Sequence, residues 1–338
     1  MARKTRLGVA LQGGGAHGAF TWGVLDRILE DGRFDIRAIT GTSAGALNAV
    51  GMAHGLLTGG RDGARKTLET IWTEVGKHGM PSAFVSGSSK DPSFSLLAKM
   101  GQLMTSNLSP AMINPLKLDP VRDVLTENID FERIRKRRSR VELGIAATNA
   151  QTGRLRLFTQ DELTVDMVLA SACLPQVSEP VEIDGTCYWD GGYSSNPPLL
   201  RLVQSGPDDT LMVLIVPTEF EGVPTSSADI EQRETEFIFM SGFLRESEIL
   251  AAATARAEKS RWPFIGQLER NLRRMRWHAI DGGQVTGELD PDSRGLAYTP
   301  FLESLRDAGR EHAETWLAEK ARQVGRASTV DLRTLAPV

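Results

Sequence analysis

Residues 39–49 decide the fold and read Ile39-Thr40-Gly41-Thr42-Ser43-Ala44-Gly45-Ala46-Leu47-Asn48-Ala49. An apolar, β-prone run from Ile36 to Thr40 ends at a glycine, and small helix-forming residues follow the serine. This is G-x-S-x-G at a strand-to-helix turn, which indicates a serine nucleophile whose oxygen points out of the sheet. Gly41 and Gly45 are required there because a Cβ would collide with the neighbouring strand or helix. The next helix directs its partly positive N-terminus at Ser43.

A glycine-rich loop lies one strand–helix unit earlier in the chain. The apolar run Leu7–Leu11 predicts a buried strand, which leads directly into Gly13-Gly14-Gly15-Ala16-His17-Gly18 and then a helix. The order strand, loop, helix, strand, turn, helix predicts an α/β fold with a parallel sheet between helices. Successive glycines can present backbone N–H groups to an oxyanion. Gly13, Gly14 and Gly15 are therefore candidates for an oxyanion hole, with the N–H of Ala44 as a further donor.

The base that would activate Ser43 is the harder question. Histidine is the usual partner of a serine nucleophile, but none of the five histidines stands in a favourable context: His17, His54, His78, His278 and His312. The order Ser43, Asp190, His278 stays open as one alternative. Asp190 is the better candidate, because it follows a predicted strand, has no charged neighbour in sequence and precedes Gly191 and Gly192.

A Ser43–Asp190 pair would need a special environment. A free aspartate has a pKa near 4 and is a weak base at neutral pH. The pair would depend on a short hydrogen bond in a site that excludes water. A second D-G-G, Asp281-Gly282-Gly283, lies in a predicted helical region and is predicted to be a turn.

The three motifs together resemble the patatin-like phospholipase family: the glycine loop, Gly41–Gly45, and Asp190–Gly192, in this order. Ala170-Ser171-Ala172 with Pro175, and Asn196-Pro197, are supporting matches, and the resemblance covers residues 6 to about 217. It implies a three-layer α/β/α fold with a mostly parallel central sheet. It also implies hydrolysis of lipid acyl esters by a Ser43–Asp190 dyad, without histidine, metal or other cofactor. The implied oxyanion hole comprises Gly13, Gly14 and Gly15, and the motif-supporting residues are Gly18, Gly41, Gly45, Gly191 and Gly192.

One departure from the family concerns His17, where the family often has Arg or Lys. Histidine is only partly charged near neutrality. The head-group preference therefore stays open, and a neutral ester is permitted as substrate.

Composition narrows the class of protein. The 338 residues carry a net charge of −4, which gives no general attraction to nucleic acid. Two cysteines, Cys173 and Cys187, argue for a reducing compartment and against a disulfide framework. The N-terminal apolar run is too short for a signal peptide, and no run approaches the roughly 20 residues of a membrane span. We expect a cytoplasmic protein, with peripheral contact to a membrane or lipid surface as an open alternative.

The chain divides into two predicted regions. Residues 6–217 form the expected catalytic domain, with a loop and short-helix insertion at about 76–120, and residues 218–338 form a helical extension with helices at 228–262, 264–276 and 300–323. Three segments are candidates either for lipid contact or for ordinary surface and core roles. They are the basic run Arg133–Arg140, the basic and aromatic segment 259–277, and Phe237–Met240.

Other functions stay open at this stage. Gly13, Gly15 and Gly18 also fit the dinucleotide fingerprint G-x-G-x-x-G, but the acid that it requires is misplaced, since Asp35 precedes the second strand. A thioesterase, a storage-polyester hydrolase, or a non-catalytic lipid-surface or regulatory protein on the same scaffold are the alternatives. The oligomeric state is not predicted.

Overall fold

Ten strands and a set of helices are described in a computed structural model that covers residues 4–105, 109, 112, 119–136, 141–205, 207–220, 222–259 and 266–335. The strands are β1 (Thr5–Leu11), β2 (Phe34–Thr42), β3 (Val85–Gly87), β4 (Pro92–Phe94), β5 (Glu142–Asn149), β6 (Leu155–Thr159), β7 (Val181–Ile183), β8 (Thr186–Asp190), β9 (Asp209–Leu214) and β10 (Arg276–Asp281). The helices are α1 (Gly18–Asp31), α2 (Ala44–Lys77), α3 (Leu96–Thr105), α4 (Pro120–Asn128), α5 (Phe131–Lys136), α6 (Val165–Ser171), α7 (Leu200–Ser205), α8 (Ser227–Lys259), α9 (Gln267–Arg274), α10 (Gly283–Gly287), α11 (Thr299–Glu319) and α12 (Leu332–Leu335).

The central sheet has the order β10-β9-β1-β2-β5-β8-β7, with β6 paired to β5. The strands from β10 to β5 are all parallel, whereas β6 and β8 run antiparallel to β5, and β7 runs antiparallel to β8. Because β1 and β2 are parallel neighbours, with Leu11 beside Gly41, the glycine loop and the serine turn leave the same edge of the sheet side by side. Strand order therefore explains why these two motifs meet.

Helices cover both faces of the sheet, as the alternation of side chains along its strands requires. Leu211, Val213 and Ile215 pack into a core shared with α1, α2 and α11. Met212, Leu214 and Val216 pack into a second core shared with α7, α8 and α9. The predicted three-layer α/β/α architecture with a mostly parallel sheet is confirmed.

The region after residue 217 is mostly helical, as expected, but it also contains a strand. The predicted helices correspond to α8, α9 and α11, whereas residues 276–281 form β10 and extend the sheet beside β9. The strand was missed because Arg276 and His278 are polar. Both side chains are satisfied by Asp209 at the start of β9, at 2.7 and 3.0 Å. The boundary at residue 217 stays a prediction, and α11 packs into the same core as α1.

The insertion at 76–120 is described in part. Its β3–β4 hairpin and α3 contact the turn at 291–295, where the N–H of Phe94 and the ammonium of Lys99 both bind Asp292. Residues 106–108, 110–111 and 113–118 lie outside the described residues, and so does the side chain of Met104. Arg137–Arg140 of the basic run, and Arg261, Trp262 and Phe264 of the basic and aromatic segment, lie outside them too.

Candidate active site

Ser43 lies on the predicted sharp turn between β2 and α2. Its backbone has a φ of 54° and a ψ of −123°, a strained conformation for a residue with a side chain. A Cβ on Gly41 would overlap the carbonyl oxygen of Gly45, and a Cβ on Gly45 would overlap that of Leu11. The N–H of Ser43 donates to Ser171 Oγ at 2.9 Å. The two glycines and Ser171 therefore hold the strained turn, and α2 begins directly behind the hydroxyl.

The glycine loop lies directly against this turn. A Cβ on Gly13 would be 2.7 Å from Cβ of Ser43, so only glycine fits there. The N–H of Gly13 donates to Asn196 Oδ1 at 2.6 Å. This bond argues against the predicted use of the Gly13 N–H as an oxyanion donor, because the group is already engaged. Within the described part of the chain, the N–H groups of Gly14 and Gly15 have no hydrogen-bond partner, and both residues are at least partly exposed.

Asp190 ends β8 and is fully buried. Its Oδ1 accepts a hydrogen bond from the N–H of Gly192 at 2.7 Å. Its Oδ2 is buried and has no hydrogen bond of regular geometry among the described residues. The Ser43 hydroxyl is nevertheless near enough to stabilise the ionised carboxylate as a hydrogen-bonding neighbour. The serine hydroxyl and the carboxylate are therefore neighbours, and Oδ2 of Asp190 remains available to the hydroxyl.

The pKa of Asp190 is raised, which makes its carboxylate a stronger base than a free aspartate. Burial raises the pKa to about 7, and the hydrogen bonds from Gly192 and Ser43 lower it only in part. A base is most effective when its pKa lies near the working pH. The environment that excludes water from Asp190 is thus also what makes its carboxylate more basic.

Phe239 of α8 provides part of that environment. Its ring lies so close to Gly192 that a Cβ on the glycine would overlap it, and the same Cβ would be 3.1 Å from Oδ1 of Asp190. Tyr193 packs against the same ring, with centroids 5.1 Å apart. The aromatic ring therefore covers the backbone beside the buried carboxylate.

Histidine is absent from this arrangement, as far as the described residues go. His278 hydrogen bonds to Asp209 and Thr329, and its strand β10 lies near the opposite end of the sheet order from β8 and Asp190. The alternative order Ser43, Asp190, His278 is therefore wrong. Asp281-Gly282-Gly283 forms the predicted turn, in which Gly283 N–H donates to Asp281 Oδ1, although a strand does precede it.

His17 is buried and neutral, so it does not replace the positive charge of the Arg or Lys that the family often has at this position. Its Nε2 lies 2.8 Å from Ser293 Oγ. Burial lowers its pKa to about 3, and the positive charge of Arg294 contributes to the shift. A Cβ on Gly15 would overlap the carbonyl oxygen of Arg294, so the turn at 291–295 packs directly on the glycine loop. Local sequence gave no signal for this arginine, because it is about 280 residues from the loop.

A cavity of about 470 Å³ opens onto Ser43 and Asp190. Its size is within the range of small-molecule sites. Charged side chains in its lining are few in the described residues: Asp190, Glu231 and Arg294. The large apolar lining residues are Leu47, Trp72, Val75, Val121, Leu174, Val216 and Phe239. Such a wall suits an acyl chain, with the serine hydroxyl at its polar end.

Part of the cavity wall comes from the region after residue 217. Glu231, Thr235 and Phe239 lie on one side of α8. Residues 294 and 295 belong to the turn that packs on the glycine loop, and residue 297 follows it. The predicted lipid-contact segment Phe237–Met240 is divided by this geometry. Phe237 is 55% exposed and Ile238 is 44% exposed, whereas Phe239 lines the cavity and Met240 is in the core.

The described residues contain neither a metal-binding cluster nor a membrane-spanning helix. No three histidine, cysteine, aspartate or glutamate side chains are grouped there so that they would hold a metal ion. No described helix combines the length and the apolar character that crossing a membrane requires.

The chain has low overall similarity to the known structures that it matches. VipD from Legionella pneumophila is 14% identical with a TM-score of 0.37, covering 91% of this chain and 67% of that one. A complex of full-length SpcU and ExoU from the type III secretion system of Pseudomonas aeruginosa gives 15% identity and a TM-score of 0.27, covering 98% and 76%. Another structure of the ExoU–SpcU complex gives 17% and 0.28, covering 98% and 74%.

Two comparisons with known sequences gave different results. No curated protein matches the chain. The sequence profile described as "Patatin-like phospholipase" matches residues 9–203, more than half of the chain, and spans the glycine loop, the serine turn and Asp190. The chain therefore belongs to the patatin-like phospholipase family, a family of lipid acyl hydrolases.

Proposed function

We propose that this protein hydrolyses lipid acyl esters through an acyl-enzyme on Ser43, with Asp190 as the general base. The observation that carries the proposal is the buried Oδ2 of Asp190, which has no regular hydrogen bond among the described residues and lies beside the Ser43 hydroxyl. A carboxylate with a pKa of about 7 accepts a proton at neutral pH more readily than an exposed aspartate does. The apolar cavity next to the pair supports an acyl substrate.

The acylation step begins with attack of Ser43 Oγ on the ester carbonyl carbon. The hydroxyl proton passes to Oδ2 of Asp190 as the new C–O bond forms. The N–H groups of Gly14 and Gly15 then donate to the oxyanion, assisted by the N-terminus of α2. The tetrahedral intermediate collapses with cleavage of the bond to the alcohol, which leaves with the proton from Asp190.

Deacylation repeats these steps with water. Asp190 takes a proton from the water, whose oxygen attacks the acyl carbon. The second intermediate releases the carboxylic acid, and the proton returns from Asp190 to Ser43 Oγ. Water is the only co-reactant that the two steps consume, and Ser43 and Asp190 return to their starting protonation states.

The two predicted regions would share this work. We propose that residues 6–217 carry the dyad and the oxyanion donors, and that residues 218–338 complete the acyl cavity through α8 and the turn at 291–295. A contact with a lipid surface would deliver the substrate to the cavity mouth. Exposed apolar side chains of α8, such as Phe237, are candidates for that contact.

A substrate panel tests the proposed function. The purified chain is expected to hydrolyse p-nitrophenyl acyl esters and phospholipid in mixed micelles, with activity retained in EDTA. Acyl-CoA and a polyester film in the same panel represent the thioesterase and polyester-hydrolase alternatives. A folded protein that hydrolyses no member of the panel, and is not labelled by a fluorophosphonate, would favour a non-catalytic role.

The pH dependence should follow Asp190. In the free enzyme the carboxylate must be ionised to act as base, so kcat/KM should rise with pH to a plateau, with a midpoint at about 7. Phe239→Ala should admit water beside Asp190, favour the ionised form and lower this midpoint by about one pH unit. Phe237→Ala, on an exposed position of the same helix, is the matched control and should leave the midpoint unchanged. An unshifted midpoint in Phe239→Ala would contradict the shielding role.

A further inference from the structure

The side chain of Asn196 holds both backbone groups of Gly13. Its Oδ1 accepts from Gly13 N at 2.6 Å, and its Nδ2 donates to Gly13 O at 3.3 Å, across 183 residues of sequence. Asn196 is fully buried. A buried amide with both ends engaged by one residue fixes the orientation of that residue's peptide groups.

Gln12, the preceding residue, fixes the other side of the same loop. Its Oε1 accepts from the N–H groups of Ile215 and Val216 at 2.6 and 2.9 Å, beyond the end of β9. Its Nε2 donates to the backbone oxygen of Asn196 at 3.3 Å. Gln12 is also fully buried. Two adjacent loop residues are thus held by two separate parts of the chain, Asn196 and residues 215–216.

The loop that carries Asn196 also begins at Asp190 and contacts the serine turn. The hydroxyl of Thr42 donates to the backbone oxygen of Ser195 at 2.8 Å, and the hydroxyl of Thr40 donates to that of Pro198 at 2.8 Å. Residues 190–198 therefore bond to the nucleophile turn through two threonines and to the glycine loop through Asn196. One loop sets the relative positions of all three catalytic segments.

The direction of the Gly13 N–H has a consequence for its neighbours. Because Asn196 turns this N–H into the protein, the next two N–H groups are left without a partner among the described residues, at an accessible part of the cavity. An oxyanion hole needs donors whose positions are fixed before the charge develops. A glycine loop has little conformational preference of its own, so an outside group must supply the order.

We propose that Asn196 is a positioning residue, whose amide orients Gly13 so that the N–H groups of Gly14 and Gly15 face the oxyanion. This inference rests on the proposed function. Asn196 is fully buried and does not line the cavity, so its contribution is to the transition state and not to substrate binding. Its loss should therefore lower kcat and leave KM nearly unchanged.

The experiment compares Asn196→Ala and Asn196→Asp with Asn271→Ala. Asn271 donates one side-chain hydrogen bond to Val203 O at 2.8 Å, away from the reaction cavity, and serves as the matched control for a lost amide contact. On a p-nitrophenyl ester, Asn196→Ala should lower kcat by about 10²-fold, the scale of losing one oxyanion donor, with KM changed by less than about threefold. Asn196→Asp keeps the acceptor for Gly13 N–H and should lose less. Asn271→Ala should keep the wild-type kcat.

Two further readouts separate positioning from general loss of structure. Inhibition by an acyl trifluoromethyl ketone, which forms an oxyanion on the serine, should weaken by the same factor as kcat/KM. The midpoint of the pH profile should stay at the wild-type value, because Asp190 keeps its burial. Circular dichroism shows whether each variant is folded at the assay temperature, and urea titration gives its free energy of unfolding. Asn196→Asp provides the test if the alanine variant does not fold.

The possible results distinguish the two proposals. The positioning role is overturned if the wild type is active and the folded Asn196 variants keep kcat within about threefold or show only a raised KM. The proposed function would then still stand. A drop in kcat that is not matched by weaker inhibition by the ketone also overturns the positioning role. A wild type that neither hydrolyses the ester nor reacts with a fluorophosphonate overturns the proposed function itself, and the positioning role with it.

Discussion

Ser43→Ala is expected to lower kcat for ester hydrolysis by about 10⁴-fold or more, because no other group in the proposed mechanism forms the acyl-enzyme. The fold should be retained, since alanine removes a single oxygen and keeps the Cβ against which Gly13 packs. The N–H of residue 43 can still donate to Ser171 Oγ. Loss of activity would therefore come from chemistry and not from a disturbed turn.

The measurement pairs steady-state hydrolysis of a p-nitrophenyl ester with labelling by a fluorophosphonate, followed by peptide mass spectrometry. The wild type should carry the label on Ser43, and Ser43→Ala should carry none. Ser241→Ala, on α8 and outside the cavity lining, is the control and should behave as the wild type. Full activity in a folded Ser43→Ala protein would exclude Ser43 as the nucleophile.

Asp190→Asn is expected to abolish hydrolysis and, at pH 8, to make the protein more stable. Asparagine has nearly the same shape and can still accept the hydrogen bond from Gly192 N–H through its oxygen. It cannot take the proton of Ser43. The gain in stability arises because the wild type carries a fully buried, ionised carboxylate at this pH, whereas the amide is neutral.

The pH dependence of that gain follows from the raised pKa. An unfolded aspartate ionises near 3.9, and Asp190 ionises at about 7 in the folded protein. Between these values the folded state binds more protons, so the wild type loses stability as the pH rises through this range. Above pH 7 the loss is complete and amounts to about 4 kcal/mol at most, at 1.36 kcal/mol per pKa unit. Below about pH 4 this contribution vanishes.

Thermal melting of both proteins from pH 4 to pH 8 checks this expectation. The melting temperature of Asp190→Asn should exceed that of the wild type at pH 8, and the difference should shrink as the pH falls. A variant that is less stable than the wild type at pH 8 would mean that ionised Asp190 is well solvated in the folded protein. Retained hydrolysis in the folded variant would remove Asp190 from the mechanism.

Sequence patterns predicted the parts of the site that depend on local backbone geometry. Gly41 and Gly45 can be predicted because a Cβ at either position has no room, and that requirement produces a recognisable pattern within five residues. Asp190 is readable because a strand end followed by two glycines is a local pattern too. The same holds for the three-layer fold, since strand and helix periodicities alternate along the first fifty residues.

The missed features all join distant positions. Asn196 reaches Gly13 across 183 residues, and Asp209 satisfies the polar side chains that concealed β10. The occupied N–H of Gly13 was mistaken for an available donor for the same reason. Arg294 lies beyond the region of family resemblance, so no motif pointed to it, and Phe239 was predicted only as part of a lipid-contact segment and not as a wall of the cavity. A single chain shows its periodicities directly, whereas pairings of this kind appear only after folding.

The bonds of residues 190–198 to the serine turn and the glycine loop have a consequence for how the protein would change over time. The segments that carry the reacting groups are bonded to one another, so a substitution that breaks one of these bonds disturbs the other segments. The cavity wall from α8, at Glu231 and Thr235, belongs to none of those bonds as described. Selectivity among substrates can therefore change through Glu231 and Thr235 at little cost to the chemistry. One scaffold of this design would yield many relatives with the same reaction and different preferred lipids.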